Sequence, residues 1–119
     1  PLFAFNKNKR RVEIEKAKTE QSRLRYEKAA LTAFAEVEDA LIAVNTYARE
    51  YEARQKQVEA VRGATRLSRE RYDSGFTNYL EVLDNERTLL DAELQASTTL
   101  QRQLQATVTL YKALGGGWQ

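Results

Sequence analysis

The chain has 119 residues with no cysteine, histidine or methionine, 30% charged side chains and a formal net charge of +2. This composition rules out disulfides, thiol chemistry and thiolate or imidazole metal ligation, and the charge is too small to argue for nucleic acid when the aromatics are not interleaved with a basic patch. The balance is uneven, with 16 basic and 12 acidic side chains in residues 1 to 74 against 3 and 5 in residues 75 to 119, so the second part is acidic. One proline, five glycines and abundant Ala, Leu, Glu, Arg and Gln are the profile of long helices. No apolar run approaches the roughly 20 residues that a membrane-spanning helix needs, and no signal peptide is evident. Opening on Pro1 and lacking methionine, the sequence reads as a piece of something longer, and the lack of cysteine permits a periplasmic or extracellular address.

Pro1 to Phe5 is short, apolar and proline-led, the pattern of a strand end or extended lead-in rather than a helix, so residues 1 to 6 are expected to be non-helical. Asn6 or Asn8 then offers a helix cap. Lys7, Lys9, Arg10 and Arg11 follow at a helix start, where the macrodipole prefers acids. A solvated end explains them best, with anionic head groups or another subunit as the alternatives. From about residue 8 to residue 73 there is no proline and a single glycine, Gly63, which predicts one helix about 100 Å long at 1.5 Å per residue. Such a helix needs lateral support. Ala30, Phe34, Val37, Leu41, Val44, Ala48, Tyr51, Gln55, Val58 and Arg62 follow alternating spacings of 4 and 3, a heptad seam. A second line, Ala33, Ala40, Ala43, Tyr47, Val61 and Ala64, runs beside it. Gly63 marks either a point where the helix bends or a close helix contact. Glu36, Glu38 and Asp39 suit a solvated face, with a tunnel lumen or a neighbour's arginine as alternatives.

Gly75 stands among Asp73, Ser74, Thr77 and Asn78, all turn-favouring residues, so the chain reverses there, with a turn over 74 to 77. Asn78 is placed to cap a second helix over about 78 to 114, with Glu81 as its capping-box partner. That helix also carries two lines: Leu83, Leu90, Leu94, Ser97, Leu104, Val108 and Tyr111, and beside it Val82, Leu89, Ala96, Leu100, Leu110 and Leu114. Residues 115 to 119 form a Gly-rich tail. Two adjacent seams per helix imply two neighbours per helix, the requirement of a sheet or closed barrel of helices. The polar seam members Gln55, Arg62, Arg87 and Gln101 suggest that one flank faces water. A two-helix hairpin has no third layer, so its apolar surface is expected to be covered by other chains or by a missing remainder.

Three stretches then carry a resemblance. RYDSGFTNYLEVLDNERTLLDAE from Arg71, AFAEVEDAL from Ala33 and the ending LYKALGGGWQ together resemble the carboxy-terminal part of the TolC-like outer-membrane efflux channels of Gram-negative bacteria, in particular the multidrug and heavy-metal branch. The resemblance covers nearly the whole chain. It implies an all-α, coiled-coil-like antiparallel helical hairpin that forms part of a trimeric α-barrel. Pro1, Leu2 and Phe3 resemble the junction where the last membrane strand passes into a periplasmic helix. The implied protein is a homotrimer, held in the outer membrane by a β-barrel and extending into the periplasm as a gated tunnel. It would work with a periplasmic adaptor and an inner-membrane pump, exporting small molecules without being an enzyme and without a cofactor or metal.

The same resemblance implies site residues. Leu80, Glu81 and Asp84 fall on the positions that narrow the tunnel mouth. The alternatives are a capping box for Glu81 and an ion pair with Arg87 for Asp84. Ser74, Gly75 and Phe76 match the tip that meets the adaptor, although the family often has a small aliphatic residue where Ser74 stands. Tyr72 matches a tyrosine that in TolC itself helps latch the closed tip to a neighbouring helix, and Thr77 stands where that latch has a basic partner, so the latch is half present. A soluble coiled-coil scaffold, or an adaptor's own docking hairpin, is the alternative from a different class. Adaptor hairpins are flanked by lipoyl-like strands, and none are present here.

Overall fold

A computed structural model describes residues 2–116; Pro1 and residues 117–119, the far end of the Gly-rich tail, lie outside the described residues. It contains two helices, α1 (Leu2–Asp73) and α2 (Tyr79–Ala113). The fold is all-α, and the described residues include no strand.

Helix α1 starts earlier than the apolar opening of the sequence suggests, at Leu2 instead of about residue 8. A strand end needs a paired neighbour to satisfy its backbone, whereas a helix satisfies its own. With Leu and Ala among its first residues, the segment takes the helix. The two compact units are Pro1–Val37 and Glu38–Gln119. In the first, α1 is the only element, and its described side chains up to Glu36 are exposed, Leu24, Leu31 and Phe34 included. Arg23 pairs with Glu20 and Glu27 one turn either side, contacts that add only tenths of a kcal/mol to a helix.

The second unit is an antiparallel hairpin, in which one heptad seam on each helix faces the other. On α1 the seam is Ala40, Val44, Tyr47, Tyr51, Arg54, Val58, Val61, Thr65 and Ser68, and on α2 it is Val82, Asn85, Leu89, Ala92, Ala96, Thr99, Gln103, Ala106, Leu110 and Ala113, all buried or half-buried. Spacings of 4 and 3 average 3.5 residues, which keeps both lines on the contact. The centre of this core is Val58 with Ala92 and Ala96, flanked by Tyr51, Val61 and Leu89. The seam on α1 draws alternate members from both predicted lines. On α2 it takes Val82, Leu89, Ala96 and Leu110 from the second predicted line, leaves Leu100 and Leu114 of that line exposed, and adds the small and polar Asn85, Ala92, Thr99, Gln103, Ala106 and Ala113.

Polar members of the seam satisfy themselves. The hydroxyls of Ser68 and Thr99 donate to the carbonyls of Thr65 at 2.8 Å and Gln95 at 3.0 Å, and Thr65 donates to Val61 in its own helix and to the Asn85 carbonyl across the contact. Among the described residues no buried side-chain polar atom lacks a partner.

Both helices end the same way. Gly75 and Gly115 take φ of 81° and 83°, a region open to glycine because it has no Cβ to clash. After α1, Gly75 N–H donates to Tyr72 O at 3.0 Å and Phe76 N–H to Arg71 O at 2.8 Å; after α2, Gly115 and Gly116 repeat the pattern on Lys112 and Tyr111. These paired 5→2 and 6→1 bonds define a Schellman stop, which satisfies carbonyls that the helix leaves free. At Gly63 a Cβ would meet no atom of the remaining chain within 4 Å, so close packing inside this chain does not explain that glycine.

Candidate functional site at the hairpin tip

The turn between α1 and α2 gathers most of the predicted site residues. Asn78 caps α2 in an extended conformation, and its side chain accepts from Glu81 N–H at 3.2 Å. That is one half of the expected capping box. In the other half the Glu81 carboxylate takes different partners: Oε1 accepts from Arg71 Nη1 at 3.2 Å, and Oε2 accepts from the Thr77 hydroxyl. Glu81 thus reaches the last turn of α1 and the turn itself. The macrodipoles favour this arrangement, because Glu81 lies in the first turn of α2 and Arg71 in the last turn of α1.

The Tyr72 ring meets Tyr79 at a centroid distance of 5.2 Å and an angle of 57°, a tilted aromatic contact from the end of α1 to the start of α2. Ser74 and Gly75 are exposed, and Phe76 is 79% exposed. In a Schellman stop an apolar residue at this position frequently packs back on the helix. Here the residue it would pack on is Arg71, whose guanidinium is turned to Glu81, and the Phe76 ring stays in solvent.

Leu80, Glu81 and Asp84 lie within one arc of about 100° on α2 but differ in exposure. Consecutive residues lie about 100° apart on a helix, and Glu81 is drawn under the turn while Leu80, 62% exposed, and Asp84 point outward. Asp84 makes no ion pair with Arg87 among the described residues; its backbone carbonyl accepts from the Thr88 hydroxyl. Three of the five acids after residue 75 are claimed by α1 arginines: Glu81 by Arg71, Glu86 by Arg69 and Glu93 by Arg62. Within the described residues, that leaves Asp84 and Asp91 as the acids of α2 without an ion pair. They stand seven residues apart, on one face. Asp91 was not singled out from sequence; the signal that finds it is the heptad spacing from Asp84.

Above the tip, α2 carries a second heptad line that the hairpin does not use. Leu83, Leu90, Leu94, Leu104, Val108 and Tyr111 are exposed, Leu90 by 57% and Leu104 by 58%. Singly exposed leucines are ordinary, but six apolar residues on one heptad line mark a surface for another helix. Among the described residues no helix is long and apolar enough to cross a membrane.

Residues 1–116 match the family described as Outer membrane efflux protein. The chain is 42% identical over 117 residues to the pyoverdine export outer membrane protein OpmQ of Pseudomonas putida, which aligns 97% of this chain with 25% of that protein. It is 37% identical over 118 residues to the solvent efflux pump outer membrane protein SrpC of Pseudomonas putida, and 36% identical over 119 residues to the outer membrane protein OprJ of Pseudomonas aeruginosa, with 99% of this chain and 25% of each relative aligned. The chain spans about a quarter of the length of these curated relatives. On the match across both helices and the turn between them, the chain belongs to the outer membrane efflux protein family.

Proposed function

We propose that this chain is a wall-and-tip segment of an outer-membrane efflux channel, a non-enzymatic conduit for export. The observation that carries the reading is the unused heptad line of α2. Once the hairpin seam is satisfied, six apolar residues on one heptad line, Leu83 to Tyr111, still face outward, as a helix with a neighbour on each side requires. In the longer protein those neighbours are hairpins of the same homotrimer, set in the outer membrane through a β-barrel, with this portion in the periplasm. The tip then meets a periplasmic adaptor through Ser74, Gly75 and Phe76, and an inner-membrane pump supplies the energy. The 79% exposure of Phe76 supports its place in that contact.

Leu80 and Asp84 form the constriction in this reading. Three-fold repetition around an axis turns Leu80 into an apolar ring and Asp84 into a ring of carboxylates that attracts cations. Glu81, on the adjoining surface, contributes its charge chiefly to the turn, because Arg71 and Thr77 already hold its carboxylate. Tyr72 and Thr77 belong to the gate as parts of the tip that must move together. The test is Asp84→Ala in a full-length channel carrying this segment. Cation selectivity and block by polyvalent cations are expected to fall; unchanged conductance and block would overturn the constriction.

A further inference from the structure

The docking surface is the most exposed part of the turn, and a turn that exposes a phenylalanine needs something to hold its shape. Phe76 is 79% exposed, and the glycine before it tolerates many conformations. The Schellman bonds fix the end of α1, and the Asn78 cap fixes the start of α2. One side chain joins the two. The N–H of Glu81 is bound by the cap, one carboxylate oxygen accepts from Arg71 before the turn, and the other accepts from Thr77 after it. The Tyr72 and Tyr79 rings form a second tie between the same two helix ends.

We propose that Glu81 is a positioning residue of the docking tip, tying Arg71 to Thr77 across Gly75 and so holding Ser74 to Phe76 in the form that presents the Phe76 ring. This rests on the reading of the tip as the adaptor contact. An exposed ion pair by itself adds little. Here one carboxylate is shared by two donors at a capped helix start, so loss of its charge weakens both bonds at once. Pre-ordering a loop in its bound form strengthens binding by removing the ordering cost from the association step.

The experiment measures binding of a purified periplasmic adaptor to a full-length channel carrying this segment, with the variants Phe76→Ala, Glu81→Gln, Arg71→Gln and the double variant Arg71→Gln/Glu81→Gln. Glu81→Gln keeps the capped N–H and the side-chain shape, so it weakens the tie by removing its charge without removing the helix start. Each single change at 71 or 81 is expected to weaken binding about three- to tenfold, and the double change no further than the worse single one. Amide exchange at Phe76 is expected to speed up in Glu81→Gln while polyvalent-cation block stays as in the parent. Normal binding by Phe76→Ala would remove the docking reading itself, and this proposal with it. Weakened binding by Phe76→Ala beside normal binding by Glu81→Gln would remove the tie alone. Additive losses at 71 and 81 would show two independent contacts, and a change in cation block would place the Glu81 carboxylate in the lumen; either result overturns the proposal.

Discussion

Arg62 Nη2 lies 3.3 Å from Glu93 Oε1, and the same contact recurs seven residues on along α1 and seven residues back along α2, between Arg69 and Glu86. In both rungs the basic side comes from α1 and the acidic side from α2. Both rungs flank the seam and remain in solvent, with the Arg62 and Glu93 side chains 56% and 45% exposed. They set register and direction more than they set stability, because exposed pairs are worth about 0 to 1 kcal/mol whereas burying one valine is worth about 1.5 to 3 kcal/mol. Arg62→Ala should therefore lower hairpin stability by no more than about 0.5 kcal/mol, with the loss shrinking as salt is added, as read from urea midpoints at two ionic strengths.

The alanines of the α2 seam set the distance between the helices. Ala92 and Ala96 are each 4% exposed beside Val58, leaving no room for a longer side chain. Ala96→Leu is expected to destabilise the hairpin by about 1 to 3 kcal/mol through overpacking, although leucine is a good helix former. A urea midpoint equal to the parent's would show that the seam is looser than the burial indicates.

The two isolated glycines should respond with opposite signs. At Gly63 the helix is regular and a Cβ meets open space, so Gly63→Ala should stabilise by about 0.5 to 1 kcal/mol by restricting the unfolded chain. At Gly75 φ is +81°, a conformation that costs an alanine about 1 to 2 kcal/mol. Gly75→Ala should therefore destabilise, and thermal melts of the two variants should move in opposite directions.

The unused line of α2 gives a prediction that separates folding from assembly. Leu94→Ser and Leu104→Ser alter side chains that the hairpin leaves more than half exposed. In the isolated chain each should change stability by less than about 0.5 kcal/mol. In a full-length channel carrying this segment the same pair of changes should reduce the yield of assembled oligomer on a sizing column. If assembly is untouched, the line faces solvent in the assembled protein as well.

Asp91 extends the acidic face that Asp84 begins. If both carboxylates face the conduit, Asp91→Asn should reduce block by polyvalent cations less than Asp84→Ala does, because it lies further from the turn. The double variant should lose more than either single one. Single-channel recordings with a trivalent cation distinguish this from a solvated Asp91, which would leave block unchanged.

The all-α class, the reversal at Gly75, the cap at Asn78 and the second helix were legible in the sequence. Each depends on a local rule: absence of proline, a glycine needed at positive φ, a short polar side chain accepting from the first turn, and apolar residues at heptad spacing. The lead-in at Leu2 was misread because an apolar proline-led run suits a strand end and a helix alike, and only the hydrogen-bonding partner at hand decides between them. Two adjacent apolar lines on each helix are visible in the sequence, but not which of their members the hairpin would combine into one contact. That choice belongs to the tertiary structure, since it depends on how small side chains such as Ala92, Ala106 and Thr99 let two helices approach, and size at a contact acquires meaning only when the opposite residue is known. The Glu81 carboxylate follows the same logic. Spacing put it beside Leu80 and Asp84, whereas Arg71, ten residues earlier in the chain, came within 3.2 Å only when the turn closed and drew the charge to the inside of the bend.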